Sequence, residues 1–600
     1  MPNTYVSIRN VKFLLHEVLQ AGKLNRFGYF ADYDDEAIDM AVEAALQIGD
    51  THLYPIYREM DKNKAYYKDG EVHVHPGLRP AIKAIADGGW ITAPYDYDSG
   101  GQQMPYTLMN AGLLIFYAAN ANAGCHAFLT QGAARLIRNF ATEDLKTRYL
   151  PDMYSGDWQG TMAMTEPQAG SSLTDLTTTA EPTENGAYKI KGQKIYISGG
   201  DHTAVDNVVH LLLARIKGAP QGIKGISLFV VPKLRNEAGK LVPNDVTTAG
   251  IYGKMGQKGY VAAHLMLGEK EDCLGYLVGE PNHGLSYMFQ MMNEARIGTG
   301  LVAAGTASAA YYASLKYANE RAQGRHPSQK DPALPQALII EHADVRRMLL
   351  FQKAITEGSA ALLFQCSYYG DIAQVAEGDE KEQAHLLFEL LTPIAKSYPA
   401  EMGIQSVSAG MQCLGGAGYC DDFPLEQHYR DIRVNAIYEG TTGIHGMDLL
   451  GRKVMMAGGK GLTLFMKEIV SEITKTQEIE SLKLYAGQMI DSASALHELT
   501  LFLLKLAMND KPEVFLADAT LYLESFGTVT IAWIWLKQAI VAEKALQQGG
   551  LSDEETNFYR GKIAAFQYFF EYELPKTKAL NERLRSDNRI TLEMESGWLV

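Results

Sequence analysis

The period of the hydrophobic positions divides the chain into helical and strand-like parts. Between residues 37 and 160 apolar side chains recur every three or four positions, as in AIDMAVEAALQIGD and LMNAGLLIFYAANANAG, which predicts amphipathic helices. From about residue 161 short β-branched runs bounded by Gly or Pro take over, including AYKIKGQKIYISGG, NVVHLLLARI and GISLFVVPK, and these predict strands. Helical periodicity returns near residue 281 and continues through Gly451.

A Gly-rich segment, AGGKGL at 457–462, precedes a further helical pattern that includes ALHELTLFLLKLA. The sequence therefore predicts an α+β protein of several domains. The expected boundaries are an N-terminal extension at 1–36, a helical domain at 37–160, a β domain at 161–280, a helical domain at 281–456 and an extra helical domain at 463–600.

Composition and charge narrow the class of protein. The 600 residues are 46% hydrophobic and 21% charged, which is typical of a folded globular chain. The net charge of −15 disfavours nucleic acid as a partner, because such a surface repels phosphate backbones on average. Five cysteines without a CxxC pair predict no disulfide framework and no metal site.

The same composition predicts a location. The first residues lack the charged and apolar regions of a secretory signal, and no apolar run approaches the roughly 20 residues that span a bilayer. Sparse cysteine fits a reducing compartment. We therefore expect a cytoplasmic protein without an integral membrane segment.

Several common signatures are absent from the sequence. It contains no GxGxxG after a strand, no GxxxxGKS/T, no HExxH and no GxSxG. A Rossmann dehydrogenase, a P-loop NTPase, a zincin and an α/β-hydrolase are thus disfavoured. Polar, Gly-rich segments near the domain junctions are the remaining candidates for a cofactor site.

Three of these segments are suited to a planar, phosphorylated cofactor. Hydroxyls and backbone amides of TEPQAGSS at 165–172 can bind phosphate or the edge of a heterocycle, although an ordinary turn has the same composition. Strand alternation puts Tyr196 and Ser198 on one face, where they can flank a planar ring or simply pack. NERAQGR at 319–325 offers arginine forks for phosphate or is a solvated helix end.

Two further segments suggest close backbone approach and proton transfer. QCLGGAGY at 412–419 has three glycines in four positions, which suits a sharp turn or a backbone against a ligand. Glu439 lies between an apolar approach and a Gly-Thr-Thr turn in IYEGTTG at 437–443. Partial burial there would raise the carboxyl pKa and suit it to proton abstraction, whereas an exposed helix end is the simpler alternative.

Taken together, the five segments resemble the acyl-CoA dehydrogenase family in order and approximate spacing over residues 35–455. The resembling motifs are TEPxAGS, KxYIS, the ER-containing helix end, QxxGGxGY and IYEGTT, preceded by ATEDLKTRYLPDMYSGDW. The N-terminal YVSIRNVKFLLHEVL and the part after residue 460 resemble a longer bacterial subgroup that includes enzymes for long-chain acyl-CoA and for 3-methylmercaptopropionyl-CoA.

The resemblance implies a fold, an activity and partners. It implies an N-terminal helical domain, a middle β-barrel-like domain, a C-terminal four-helix bundle and an extra C-terminal helical domain. The implied reaction is FAD-dependent α,β-dehydrogenation of an acyl-CoA to a trans-2-enoyl-CoA in fatty-acid β-oxidation or related catabolism. An electron-transfer flavoprotein would accept the electrons, and the assembly would be a homodimer or homotetramer.

Site residues are also implied by the resemblance. Glu439 would be the base that removes the α-proton. The residues expected to contact FAD are Met164, Thr165, Ser171, Tyr196, Ser198, Arg321, Gln323, Gln412, Gly415, Gly416 and Thr441, of which Arg321, Gln323, Gln412, Gly415 and Gly416 match positions that bind the FAD of a neighbouring subunit. The residues expected to contact the substrate are Ser171, Arg296, Tyr438 and Gly440.

The sequence departs from the family pattern at several positions, and two alternative functions stay open. Ser172 and Gly443 stand where the family has Asp and Gln, and the residues after the basic helix end read QGR instead of the usual pattern. An acyl-CoA oxidase that reacts with oxygen is the alternative enzyme, since that group also carries an extra C-terminal domain. A nucleic-acid-associated flavoprotein on the same scaffold is the alternative from another class.

Overall fold

The computed structural model describes residues 4–329 and 331–600. It describes the side chains of all of these residues except Gln290 and Met291. The helices are α1 (Ile8–Lys12), α2 (Asp35–Ile48), α3 (Tyr57–Lys62), α4 (Leu78–Asp87), α5 (Tyr106–Phe140), α6 (Glu143–Tyr154), α7 (Gly284–Glu320), α8 (Ala343–Val375), α9 (Gly378–Leu414), α10 (Leu425–Ile432), α11 (Thr442–Gly451), α12 (Lys460–Lys475), α13 (Lys483–Asn509), α14 (Pro512–Leu516), α15 (Ala519–Gln548), α16 (Asp553–Tyr568), α17 (Thr577–Leu584) and α18 (Ile590–Glu593). The strands are β1 (Tyr66–Lys68), β2 (Glu71–His73), β3 (Trp158–Ala163), β4 (Thr179–Pro182), β5 (Tyr188–Ser198), β6 (Asn207–Ile216), β7 (Ile226–Pro232), β8 (Leu234–Glu237), β9 (Lys240–Pro243), β10 (Val246–Ile251), β11 (Ala262–Leu267) and β12 (Leu274–Val278).

Contacts between residues group the chain into two compact units. The helical unit consists of the chain up to Met40 together with Pro105–Leu114 and Arg296–Val600, and the mixed unit consists of Ala41–Met104 and Ile115–Ala295. The five domain boundaries expected from the sequence stay a prediction.

The mixed unit is built on an eight-stranded sheet. Its strands lie in the order β10-β11-β5-β12-β7-β6-β3, and β4 pairs with both β5 and β6. The pairings β5-β12, β12-β7, β7-β6, β6-β4 and β4-β5 return to their starting strand, so these five strands close on themselves. The β-barrel-like arrangement implied by the resemblance is confirmed.

Strand β6 shows why its sequence is almost continuously apolar. Leu211 and Leu213 belong to a core shared with residues of α5 and α6, such as Ile137 and Leu145. Leu212 and Ala214 point the other way, into a core shared with neighbouring strands. Because successive side chains alternate between faces, a strand buried on both faces needs apolar residues at nearly every position.

Small residues let the long helices of the helical unit approach closely. A Cβ added at Gly300 of α7 would lie 2.2 Å from the backbone oxygen of Ala395 on α9. The packed surface continues through Ala303, Ala307 and Ala400, all buried. This contact fixes α9, and with it Lys396, beside α7.

The C-terminal helices complete this unit. Trp533 and Trp535 of α15 are fully buried, and the Trp535 Nε1 donates to the Ala354 carbonyl at 3.0 Å. Helix α15 is long and apolar enough to cross a membrane, but 89% of its most apolar window is buried inside the protein. Such burial is typical of a core helix of a folded domain.

Candidate active site

The turn that carries Glu439 lies between a 3₁₀ turn at Arg433–Ala436 and helix α11. Glu439 adopts a left-handed conformation with φ of 55°, followed by Gly440 at 90°. A residue with a side chain costs about 1–3 kcal/mol in such a conformation, so the surrounding contacts must hold it. The sequence alternative of an exposed helix end does not apply, since Glu439 is half-buried and outside any helix.

Two side chains hold the backbone of this turn. The Lys396 Nζ donates to the Gly440 carbonyl at 2.7 Å. The His445 Nε2 lies 3.2 Å from the Glu439 carbonyl, which can only accept, so Nε2 carries the proton. Lys396 and His445 are both fully buried.

Burial and two cations set the charge of the Glu439 side chain. Burial raises the pKa of its carboxyl, and Lys396 and Arg296 oppose that rise. Burial lowers the pKa of Lys396 to about 8, with Glu439 acting in the opposite direction. Burial lowers the pKa of His445 to about 3, so its ring is neutral near pH 7. A carboxylate with a raised pKa beside fixed cations is suited to accept a proton.

Arg296 belongs to the same cluster. Its side chain is buried and its Nη1 forms an ion pair with Asp448 at 2.8 Å. Tyr438 is half-buried, and Thr441 is exposed at the start of α11. The structure thus brings Arg296, Glu439 and the turn residues together, while the contact of Arg296 with substrate stays a prediction.

The residues expected to serve a neighbouring subunit lie far from this turn. Helix α7 ends at Glu320, and the Arg321 N–H still donates to the Tyr317 carbonyl at 2.9 Å, so Arg321 caps the helix end and Gln323 lies in the loop that follows. Along α7, about 36 Å of helix axis separates Arg296 from Glu320. Gln412, Gly415 and Gly416 lie at the far end of α9, about 24 Å along the axis from Lys396.

The predicted flavin segments of the mixed unit lie side by side. The Ile195 N–H donates to the Thr165 carbonyl at 2.9 Å, which sets Met164 and Thr165 beside the end of β5. Tyr196 has a left-handed φ of 58°, is 58% exposed and contacts the Tyr252 ring at 4.2 Å between centroids. Ser198 is half-buried. Ser171 is exposed in the loop after Thr165.

Sequence reasoning missed the charged residues that support these segments. Lys194 and Glu166 form a completely buried ion pair beneath the Thr165 loop, and Lys396 and His445 hold the Glu439 turn. The available signal was a lysine next to apolar residues, in KIYIS and in TPIAKSYPA. A lysine is almost never fully buried unless it has a partner.

The residues present fit a flavin nucleotide. The donor set in the mixed unit combines the hydroxyls of Thr165, Ser171 and Ser198 with the exposed Tyr196 ring, which suits a planar ring and a phosphate. A Cβ added at Gly415 or Gly416 would meet no atom of the described residues within 4 Å, so both backbones face open space that a ligand can occupy. Arg321, also in the helical unit, is exposed as well.

A closed set of strands, a half-buried carboxyl on a strained turn and a donor set that suits a flavin together fit the class of flavin-dependent oxidoreductases. The chain matches, in order, "Acyl-CoA dehydrogenase, N-terminal domain" over residues 35–157, "middle domain" over 161–268, "C-terminal domain" over 282–455, and "Acetyl-CoA dehydrogenase C-terminal like" over 465–595.

Full-length relatives agree with these matches. A butyryl-CoA dehydrogenase of Syntrophomonas wolfei is 34% identical over 94% of this chain and 94% of its own length. A 3-methylmercaptopropionyl-CoA dehydrogenase of Ruegeria pomeroyi is 32% identical over 96% of this chain and 97% of its own. An acyl-CoA dehydrogenase of Bacillus anthracis complexed with FAD has the same fold, with a TM-score of 0.70, 20% identity and coverage of 94% and 90%.

The chain belongs to the acyl-CoA dehydrogenase family, in a longer form with an extra C-terminal domain. It is an FAD-dependent oxidoreductase that acts on acyl-CoA thioesters. The fold, cofactor and enzyme class expected from the sequence are thereby confirmed.

Proposed function

We propose that this enzyme converts a saturated acyl-CoA to the trans-2-enoyl-CoA with Glu439 as the α-proton base. The observation that carries the proposal is the Glu439 turn itself. A carboxyl with a raised pKa is held in a left-handed conformation between two buried cations, Lys396 and Arg296. Such a costly arrangement is typical of a residue whose direction matters for chemistry.

The proposed reaction balances without water. The ionised Glu439 takes the proton from the α-carbon, the electron pair of that C–H bond forms the α,β double bond, and the β-hydrogen leaves as hydride. When bound, FAD supplies the acceptor for that hydride at N5. Glu439 ends protonated and returns its proton to solvent after product release.

The weak acidity of the α-proton is the chemical difficulty. The Glu439 backbone N–H is the expected donor to the thioester carbonyl, where negative charge develops as the proton leaves. Among the residues that the structure describes, none accepts a hydrogen bond from this N–H. Removing one such donor typically costs about 3–4 kcal/mol of transition-state stabilisation.

We further propose that a straight-chain acyl-CoA is the default substrate and that an electron-transfer flavoprotein takes the electrons, within fatty-acid β-oxidation or related catabolism. The relatives act on butyryl-CoA and on 3-methylmercaptopropionyl-CoA, so a sulfur-containing acyl group is the variant substrate. We propose that the enzyme is a homo-oligomer. In it, the loop that contains Arg321 and Gln323 and the turn at Gly415 and Gly416 (the Gly415 turn) of one subunit reach the FAD of its neighbour, which explains why these residues lie far from Glu439 in their own subunit.

An anaerobic titration with acyl-CoA thioesters of graded length tests the proposal. We expect one length class to bleach the flavin band near 450 nm, and Glu439→Gln to keep its flavin while losing the bleaching. A Glu439→Gln enzyme that is reduced as fast as wild type would overturn the assignment of the base. Rapid peroxide formation in air by the reduced enzyme would replace the dehydrogenase by the oxidase.

A further inference from the structure

The carbonyls of Glu439 and Gly440 are each held by a buried side chain from a different helix. Lys396 of α9 donates to the Gly440 carbonyl at 2.7 Å, and His445 of α11 donates to the Glu439 carbonyl at 3.2 Å. A Cβ added at Gly440 would lie 3.0 Å from the His445 Nε2, so the ring packs directly on the turn. Two consecutive carbonyls are thus fixed from two directions.

Both supports are themselves fixed. Lys396 is fully buried, and its helix cannot move away from α7 without losing the close contact at Gly300. His445 is fully buried within α11, where a Cβ at the next residue, Gly446, would lie 2.7 Å from the Ala519 carbonyl. Both helices are therefore held in place by close backbone contacts.

The charged groups around Glu439 come from three helices of this unit. Helix α9 contributes Lys396 and Glu401, α7 contributes Arg296, and α11 contributes His445 and Asp448. Asp448 is paired with Arg296, and the Thr442 hydroxyl binds Glu401. Lys396 is therefore a buried cation beside the Glu439 carboxylate. Its ammonium group donates its hydrogen bond to the backbone of the turn, at the Gly440 carbonyl.

We propose that Lys396 and His445 are positioning residues that keep Glu439 in its left-handed, reactive conformation, Lys396 also by its charge. The inference rests on the proposed role of Glu439 as base. Without the two hydrogen bonds the turn is free to return to a negative φ at Glu439, which redirects its side chain. Without the charge of Lys396 the carboxylate loses part of the stabilisation of its ionised form.

A pair of His445 variants tests the hydrogen bond. His445→Gln retains an N–H donor on a side chain of similar length, and His445→Leu removes it. We expect His445→Leu to slow flavin reduction at saturating acyl-CoA by about 100-fold, the effect of a displacement near 1 Å, with unchanged flavin content and substrate affinity. His445→Gln should restore most of the rate.

Lys396→Met tests the charge. The reduction rate of wild type falls as pH drops through the pKa of Glu439, because the base must be ionised. Removal of the neighbouring cation raises that pKa, so the acidic limb of the Lys396→Met profile should move to higher pH. A purely structural lysine would lower the rate without moving the limb.

The outcomes separate the inference from the function beneath it. Equal rates for His445→Leu and wild type, or an unmoved acidic limb in a flavin-loaded Lys396→Met enzyme, would overturn the positioning roles. If Lys396→Met does not retain flavin, the His445 pair decides. The proposed function itself would be refuted if no acyl-CoA reduced the flavin of the wild-type enzyme, or if Glu439→Gln were fully active.

Discussion

The Nζ of Lys194 lies 2.8 Å from the Oε1 of Glu166, and both side chains are completely buried. The same carboxylate accepts the backbone N–H groups of Thr177 at 2.6 Å and Thr178 at 3.1 Å. Lys194 also donates to the Met164 carbonyl at 3.1 Å. One ion pair therefore joins the loop that holds Thr165 to the strand that presents Tyr196.

Removing the charge of Glu166 should destabilise the protein strongly. Glu166→Gln keeps the shape of the side chain but leaves the Lys194 ammonium buried without a counter-charge. Breaking a buried pair in this way costs about 3–5 kcal/mol. We expect a clearly lower melting temperature and loss of FAD during dialysis, followed by thermal unfolding and flavin absorbance.

An exposed pair on the same strand is the matched control. Lys191 lies 3.4 Å from Glu271, with side chains 67% and 73% exposed. Lys191→Met should change stability by less than about 1 kcal/mol, as surface pairs usually do. If Glu166→Gln has the same melting temperature as Lys191→Met and wild type, the buried pair does not support the flavin segments.

Asp371 should make stability depend on pH. This buried carboxylate on α8 accepts the backbone N–H groups of Tyr106 at 2.6 Å and Thr107 at 2.9 Å, where α5 begins. Burial raises its pKa from 3.8 to about 7. Between these values the folded state binds a proton that the unfolded state lacks, so this group's contribution to stability falls as pH rises from about 4 to 7.

Asp371→Asn removes that titration. The melting temperature of wild type minus that of Asp371→Asn should become more negative between pH 5 and pH 8, measured in one series of buffers. A flat difference for Asp371→Asn would show that the carboxylate stays ionised throughout.

The hydrophobic pattern was sufficient to predict the elements around the site. β-branched runs gave β5, β6 and β7, because burial on both faces leaves a signal at nearly every residue. The helical period likewise predicted the long helix that carries Arg296. Its last helical residue, Glu320, falls within the basic segment 319–325 that the sequence predicts as the helix end.

The supporting contacts were not predictable in the same way. Lys396 reaches Gly440 across 44 positions of sequence, and Lys194 reaches Glu166 across 28. Each contact depends on how two elements pack, which a period within one element does not encode. The left-handed φ of Glu439 is equally unpredictable from the sequence, because glutamate rarely adopts that conformation.

A substitution at Gly416 can distinguish an effect on cofactor binding from an effect on folding. In the part of the chain that the structure describes, a Cβ there would meet no atom within 4 Å, so Gly416→Leu should change the stability of the FAD-free protein by no more than about 0.5 kcal/mol. If this backbone lies against FAD, the added side chain occupies the same space. We expect affinity for FAD to fall at least about tenfold, a change of 1.4 kcal/mol, in a fluorescence titration of the FAD-free protein.

Gly487 is the control for that experiment. It is exposed in α13, and a Cβ there also meets no atom of any described residue within 4 Å. Gly487→Leu should bind FAD as wild type does. Equal affinity for Gly416→Leu and wild type would remove the Gly415 turn from the cofactor site.

Gly446 links the extra C-terminal helices to the Glu439 turn. A Cβ at this residue of α11 would lie 2.7 Å from the Ala519 carbonyl at the start of α15, whereas a Cβ at Gly443 on the same helix has nothing nearer than 3.8 Å. Gly446→Ala must push α11 away from α15, and overpacking of this kind costs about 1–3 kcal/mol. Because α11 also carries His445, the displacement should slow flavin reduction by acyl-CoA as well as lower the melting temperature. Gly443→Ala should leave the melting temperature unchanged, and a Gly446→Ala enzyme with wild-type rate and stability would show that the α15 contact does not position the turn.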